Sequence, residues 1–256
     1  MSSDLYISVA AHKPYWMPDD PVYHPVWVGA ALREGEPPAG YVRDDGFDGN
    51  ISAKNPTFCE LTGTYWMWKS VQADYVGLCH YRRYFEGHAA VDKKARIATG
   101  DEFRHMLSQA PVLLPSERNY FIETNYSQYV HAHHEEDLAA TRAILEEKYP
   151  TYLPAYDKSM SLTHGHRFNM FVMRADIFDQ YCTWLFDVLF ELEHRLDISS
   201  YSTNDQRVFG FVAERLMDSW IYTNEVAFRE LPVVNLESQH WIKKGADFLK
   251  RKFVGK

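Results

Sequence analysis

Along the chain the spacing of apolar side chains switches between periods of two and of 3.6, and the switches mark out the elements. Between Asp4 and Ala10, Leu5, Ile7 and Val9 alternate with Tyr6 and Ser8, which predicts a strand ending in Ala11-His12-Lys13-Pro14. Met17 to Pro25 reads as loop, Tyr23 to Leu32 as a short strand or helix, and Glu34 to Gly40 as a turn-rich linker. A helix opens at Asn55-Pro56 or Thr57 and runs to Lys69, with Phe58, Leu61, Tyr65 and Trp68 on one face and Glu60 and Thr64 off it. Tyr75 to Cys79 is apolar without alternation, as expected of a strand covered on both faces. A short helix (Asp101–Gln109) and a short strand (Val112–Pro115) follow, then a polar loop and the helix Asp137–Tyr149.

Arg167 to Arg174 predicts a second central strand, with Asn169 as its buried polar residue. Asp176 to Leu196 is a long amphipathic helix. Asn204 or Asp205 caps the next, which carries Val208, Phe211, Val212, Leu216 and Trp220. Val226 to Asn235 is a closing strand. Strands alternating with helices indicate an α/β class: one domain over residues 1–238, then a tail over 239–256. At 256 residues the chain is long enough for a sizeable core.

Charge changes this picture at one end. The net charge of −8 argues against a nucleic-acid partner, yet 239–256 holds six Lys/Arg and one Asp, interleaved with Trp241, Ile242, Phe248, Leu249, Phe253 and Val254. Such a basic amphipathic tail makes an anionic membrane surface a candidate partner, an ordinary solvated helix being the alternative. The three cysteines (Cys59, Cys79, Cys182) are far apart in apolar contexts and read as reduced core residues of a reducing compartment. No leader with a basic, then apolar, region is visible at the N-terminus, and no apolar run suffices to span a bilayer.

Candidate chemistry gathers after the strand at 75–79. His80, Arg82 and Arg83 sit just past its carboxyl end, where ligands of open α/β sheets bind, and guanidinium forks match phosphate oxygens. Surface pairing of the arginines with Glu86 or Asp92 is the alternative. A cleft of His80, Arg82, Arg83, Asn169 and the acidic loop 44–52 suits a nucleotide-sugar, with 17 Tyr, 15 Phe and 7 Trp available to face base and sugar. The acidic loop lacks the glutamate of a calcium loop. No dinucleotide-binding glycine motif, hydrolase elbow, Walker or kinase pattern is present. His131, His133, His134 and Asp137 offer metal-ligand types at a spacing that matches no zinc motif.

Two long stretches carry a resemblance: Asp48-Gly49-Asn50-Ile51-Ser52-x-Lys54-Asn55-Pro56-x-x-Cys59-Glu60-Leu61-Thr62-x-x-Tyr65-Trp66-x-Trp68-Lys69, and Tyr75 through Phe85. His133-His134-x-x-Asp137-Leu138, Asn169 to Met173, and Arg207-Val208-Phe209-Gly210-Phe211-x-x-Glu214-Arg215-Leu216 continue it. Together they resemble the bacterial DUF4422 family, whose members sit in capsule, exopolysaccharide and O-antigen gene sets. The resemblance implies a GT-A-like glycosyltransferase with a mixed, mainly parallel central sheet flanked by helices. It implies transfer of a hexosyl group, galactosyl in pyranose or furanose form, from a UDP-sugar to a lipid-linked or oligosaccharide acceptor. A cytoplasmic enzyme, peripheral on the inner face of the membrane, follows from the same likeness.

Where most such enzymes carry a metal-binding Asp-x-Asp, this chain reads His80-Tyr81-Arg82. The implied diphosphate site is therefore cationic, with no divalent metal required. His12, Asp48, Asn50, Lys54, Glu60, His80, Arg82 and Arg83 are the expected donor-side residues. Asp205 and Glu214 are the candidate general bases, and His133, His134 and Asn169 candidates for the acceptor or sugar. A carbohydrate-binding module without catalysis, or a metal-dependent hydrolase on the His131–His134 cluster, are the competing classes.

Overall fold

A computed structural model describes residues 3–237, so the basic tail lies outside the described residues. The first part of the chain forms β1 (Ser3–Ala11), β2 (Tyr23–Trp27) and β3 (Val42–Arg43), then α1 (Asn55–Phe58) and α2 (Leu61–Ser70). Next come β4 (Ala73–His80), β5 (Arg83–Phe85), α3 (Gly100–Leu107), β6 (Val112–Pro115) and β7 (Arg118–Asn119). Helices α4 (Asn125–Ala132), α5 (Glu135–Lys148) and α6 (Leu153–Ser161) lead to β8 (His164–Gly165) and β9 (Phe171–Arg174). The chain closes through α7 (Ala175–Arg195), α8 (Val208–Thr223), β10 (Phe228–Leu231) and β11 (Val233–Asn235).

The main sheet runs in the order β10-β6-β9-β4-β1-β2-β3. β1 pairs in parallel with β2 and β4, β2 with β3, and β6 with β10, while β9 is inserted antiparallel between β4 and β6. The sheet is mixed and mainly parallel, as the resemblance implied. Gly77 sits where the sheet is tightly packed: a Cβ there would come within 2.7 Å of Ile7 and 2.9 Å of the Phe171 carbonyl.

Two apolar layers cover the sheet, and strand alternation sorts the side chains between them. Val76, Leu78, Phe171 and Met173 face the layer built by α2 and α5 to α8. Leu5, Ile7, Val9, Cys79 and Val172 face the other, with Phe103 of α3 and Tyr84 and Phe85 of β5. This explains why the middle of β4 shows no polar alternation. All three cysteines are free thiols.

Four departures from the expected elements matter for the site. The helix expected over 55–69 is broken, because Cys59 adopts φ +54° between α1 and α2. The strand expected from Arg167 begins only at Phe171, because Phe168 and Asn169 are both left-handed (φ +78° and +53°). Residues 125–132, expected as loop, form α4, whose N-cap Thr124 accepts from the Ser127 amide. Neither Asn204 nor Asp205 caps α8; Asp205 opens a single 3-10 turn that runs into it.

Candidate active site

β1 and β4 end side by side, the Tyr81 amide donating to the Ala10 carbonyl at 3.2 Å. Past these carboxyl ends lies a cavity of about 690 Å³. β4 turns back through Tyr81 and Arg82 into β5, so His80 pairs with Arg83 across a tight hairpin at the cavity edge. β11 holds the hairpin from behind, with the Leu236 amide on the Arg82 carbonyl at 3.0 Å. The opposite wall comes from Cys59 and Glu60 at the helix break, from Phe168, and from Arg207, Gly210, Phe211 and Glu214 at the start of α8. Gly210 permits that approach, since a Cβ there would come within 3.1 Å of the Cys59 sulfur.

Among the described residues, Arg33, Arg82 (paired with the exposed Glu237 at 3.1 Å), Arg83, Arg118 and Arg207 line this cavity with two carboxylates, Glu60 and Glu214. Both carboxylates are engaged. Glu60 Oε1 accepts from Asn169 Nδ2 at 2.7 Å, and Glu214 Oε2 from Arg215 Nη1 at 3.0 Å. The Nε atoms of Arg33 and Arg83 are buried without a hydrogen-bond partner among the described residues. A buried donor left unmatched is costly, so these nitrogens favour an acceptor-rich ligand. The Arg83 guanidinium lies 4.6 Å above the Phe168 ring, and burial and its neighbour Arg82 both weaken its hold on charge. Arg207 donates to Cys59 Sγ at 3.2 Å. Burial, with Glu60 alongside, pushes the Cys59 thiol up to about 12, so it is no nucleophile at neutral pH.

His80 Nε2 lies 2.6 Å from the Phe168 carbonyl. A carbonyl only accepts, so that nitrogen carries the proton. Burial lowers the His80 pKa below its ordinary 6.5, Arg83 adds to the fall and Glu60 opposes it. The carbonyl it grips belongs to the first of the two left-handed residues, where strain is concentrated at the cavity wall. Asn169, the second, donates to Glu60 and to the Gly210 carbonyl at 3.1 Å, tying the helix break to α8. At the mouth, Tyr81 stacks on Tyr15 with ring centres 3.7 Å apart, and His12 meets both rings edge-on.

Of the residues expected from sequence, the structure brings His12, Glu60, His80, Arg82, Arg83 and Glu214 to the cavity lining. The others lie elsewhere. Asn50 folds back on the Asp45 and Phe47 carbonyls to shape its own loop, and Lys54 pairs with Glu193. Asp48 is also outside the lining; the loop's buried carboxylate is Asp44, which accepts from the Gly29 and Ala30 amides. Asp205 accepts from Ser202 at 2.6 Å and faces His133 at 3.0 Å. His133 stacks on Phe211 and His134 on Tyr201, and neither histidine is in the cavity lining.

The expected cluster is split: His131 meets Glu123, His133 and His134 face the two oxygens of Asp205 at 3.0 and 3.9 Å, and Asp137 takes the hydroxyls of Tyr129 and Tyr201. Among the described residues no three His, Cys, Asp or Glu groups at 131–137 come to metal-ligand spacing, which a metal-dependent hydrolase there would need. Arg33, Arg118 and Arg207 were missed by sequence reading. Arg207 opens the Arg207-Val208-Phe209-Gly210-Phe211 motif, a signal present in the sequence; Arg33 and Arg118 have no local signature.

The family described as Domain of unknown function (DUF4422) matches residues 6–225, and the chain belongs to it. Among solved structures, the chain is similar to the apo structure of WbbM, a bifunctional glycosyltransferase, with 31% identity and a TM-score of 0.84. The likeness covers 92% of this chain and 46% of that one, so the chain spans less than half the length of the structure it matches. No curated protein matches the chain. No helix among the described residues is long and apolar enough to cross a membrane.

Proposed function

We propose that the chain is a glycosyltransferase that moves a hexosyl group from a nucleotide-sugar to a glycan acceptor, holding the donor diphosphate with arginines. One observation carries the reading: five arginines converge on a cavity at the carboxyl ends of two parallel strands, with the buried Nε atoms of Arg33 and Arg83 unmatched. The likeness to a bifunctional glycosyltransferase supports it, this chain corresponding to less than half of that enzyme. UDP is the donor nucleotide, its base meeting the Tyr15, Tyr81 and His12 rings. Galactose, as pyranose or furanose, is the donor sugar, and a lipid-linked surface polysaccharide at the cytoplasmic face of the membrane is the acceptor.

In a single displacement the acceptor oxygen bonds to the sugar's anomeric carbon as the bond from that carbon to the diphosphate breaks. The acceptor hydroxyl proton passes to Glu214, and the nucleoside diphosphate leaves with the electron pair. Charge then builds on the diphosphate, and fixed guanidinium groups stabilise it as a metal ion would. Glu214 is the base because its carboxylate lines the cavity and is held through Oε2 alone, by Arg215, whereas Asp205 is outside the lining with both oxygens taken, by His133 and Ser202. Asn169 positions Glu60, which holds the sugar hydroxyls.

A panel of UDP-sugars, followed for UDP release without acceptor and for transfer to added oligosaccharides, tests the reading. One donor is expected to be turned over above the rest. Binding of every donor without turnover would make the protein a sugar-nucleotide or carbohydrate binder instead. UDP affinity is expected to be the same with chelator as with Mn²⁺; a gain of about tenfold or more with Mn²⁺ would overturn the arginine-only diphosphate site.

A further inference from the structure

Beyond the cavity wall, where β6, the β7–β8 ribbon, α8 and β10 meet, a second cluster has no part in the transfer chemistry. Glu117, His166 and Glu230 place one ligand atom each within 4.8 Å of one another. His166 is 2% exposed, and its Nε2 is buried with no hydrogen-bond partner among the described residues. Its other nitrogen, Nδ1, lies 2.5 Å from Asp218 Oδ1, and its backbone amide donates to Asp218 Oδ2 at 3.2 Å. With the Nδ1 proton held by Asp218, the Nε2 lone pair is aimed at carboxylate oxygens, an arrangement that demands a cation or a second proton.

We propose that Glu117, His166 and Glu230 bind one divalent transition-metal ion of the zinc class. The donor set fits: one imidazole and two carboxylates, carrying together a charge of −2. His166 Nε2 and Glu230 Oε1 are 3.5 Å apart. Two ligands each about 2.0–2.2 Å from one tetrahedral ion stand about 3.3–3.6 Å apart. Each ligand also has an outer partner that fixes it, as metal sites require. Asp218 holds His166, His164 Nδ1 holds Glu117 Oε2 at 2.6 Å, and the Glu117 amide donates to Glu230 Oε2 at 3.3 Å. Glu117 and Glu230 are partly exposed, which leaves water the remaining coordination position. The ion ties the end of β6 to β10 and to the segment just before the Phe168–Asn169 turn. It thereby braces the wall that carries Arg118 without touching the donor.

The full chain, stripped with chelator and dialysed, is titrated with Co²⁺ as a spectroscopic stand-in for Zn²⁺, without nucleotide. One equivalent with visible d–d bands is expected, together with a higher melting temperature in Zn²⁺. Glu117→Gln and Glu230→Gln, both near the surface, are each expected to weaken binding by at least about tenfold while keeping the far-UV spectrum. Glu60→Gln is expected to bind as the parent does. Absence of stoichiometric binding, binding that both glutamine variants retain, or binding that appears only with UDP would each overturn the site. The first result would assign a proton, not a metal, to His166 Nε2.

Discussion

Arg167 and Arg83 are both turned inward, on opposite sides of the Phe168–Asn169 turn, and their surroundings could hardly differ more. Arg167 is 3% exposed and saturated: it donates to the His166 carbonyl, the Glu214 carbonyl, Asn125 Oδ1 and the Tyr120 hydroxyl, with Asp218 3.7 Å away. Arg83 has a ring beneath it and a buried Nε without an acceptor among the described residues. The same side chain is thus structural in one place and poised for a ligand in the other. What separates the two is the supply of acceptors, since a guanidinium whose donors are already used cannot bind phosphate.

The largest effect expected from this contrast is on stability. Arg167→Met leaves Asn125, two carbonyls and Asp218 without their partner and should cost about 3–5 kcal/mol in urea unfolding. Arg83→Met should leave stability unchanged or slightly raised; an equal loss for both variants would erase the distinction. Glu214 joins the two regions, its carbonyl on Arg167 and its carboxylate in the cavity. Glu214→Gln should lower kcat by about 10²–10⁴-fold with little change in donor KM, a split that a purely structural carboxylate would not produce.

Arg83→Met should weaken UDP binding by about 10- to 10²-fold in calorimetry, the worth of a hydrogen bond to a charged group. Next in size is the titration of His80. Its pKa in the folded chain is lowered from 6.5, chiefly by burial, so its contribution to stability is full above about 6.5 and is lost as pH falls below that value. Bound UDP should move its NMR titration upward, and an unmoved midpoint would put the diphosphate elsewhere. Smallest of all is Lys54→Ala: its partly exposed pair with Glu193 is worth at most about 1 kcal/mol, and donor KM should not change.

Much of the fold was legible because covered strands and amphipathic helices repeat their pattern over many residues. β4 and the turn that follows it were readable for the same reason, and they place His80, Arg82 and Arg83. Helix and strand were overextended at Cys59 and at Phe168–Asn169, where single residues reverse φ and no local composition announces it. The histidines at 131, 133 and 134 looked like one cluster because they are close in sequence. On the end of α4 His131 turns to Glu123, while in the turn after it His133 and His134 both face Asp205 and stack on Phe211 and Tyr201.

Local sequence determined the α/β class, the buried central strands and the cationic end of β4, because those depend on side-chain periodicity and on adjacent residues. Tertiary structure alone decided which charges face one another. It brought Arg33, Arg118 and Arg207 to the cavity from three separate segments, kept Asp205 out of it, and set His166 between Glu117 and Glu230. Electrostatic matching is a matter of distances across the fold, and spacing along the chain does not encode them.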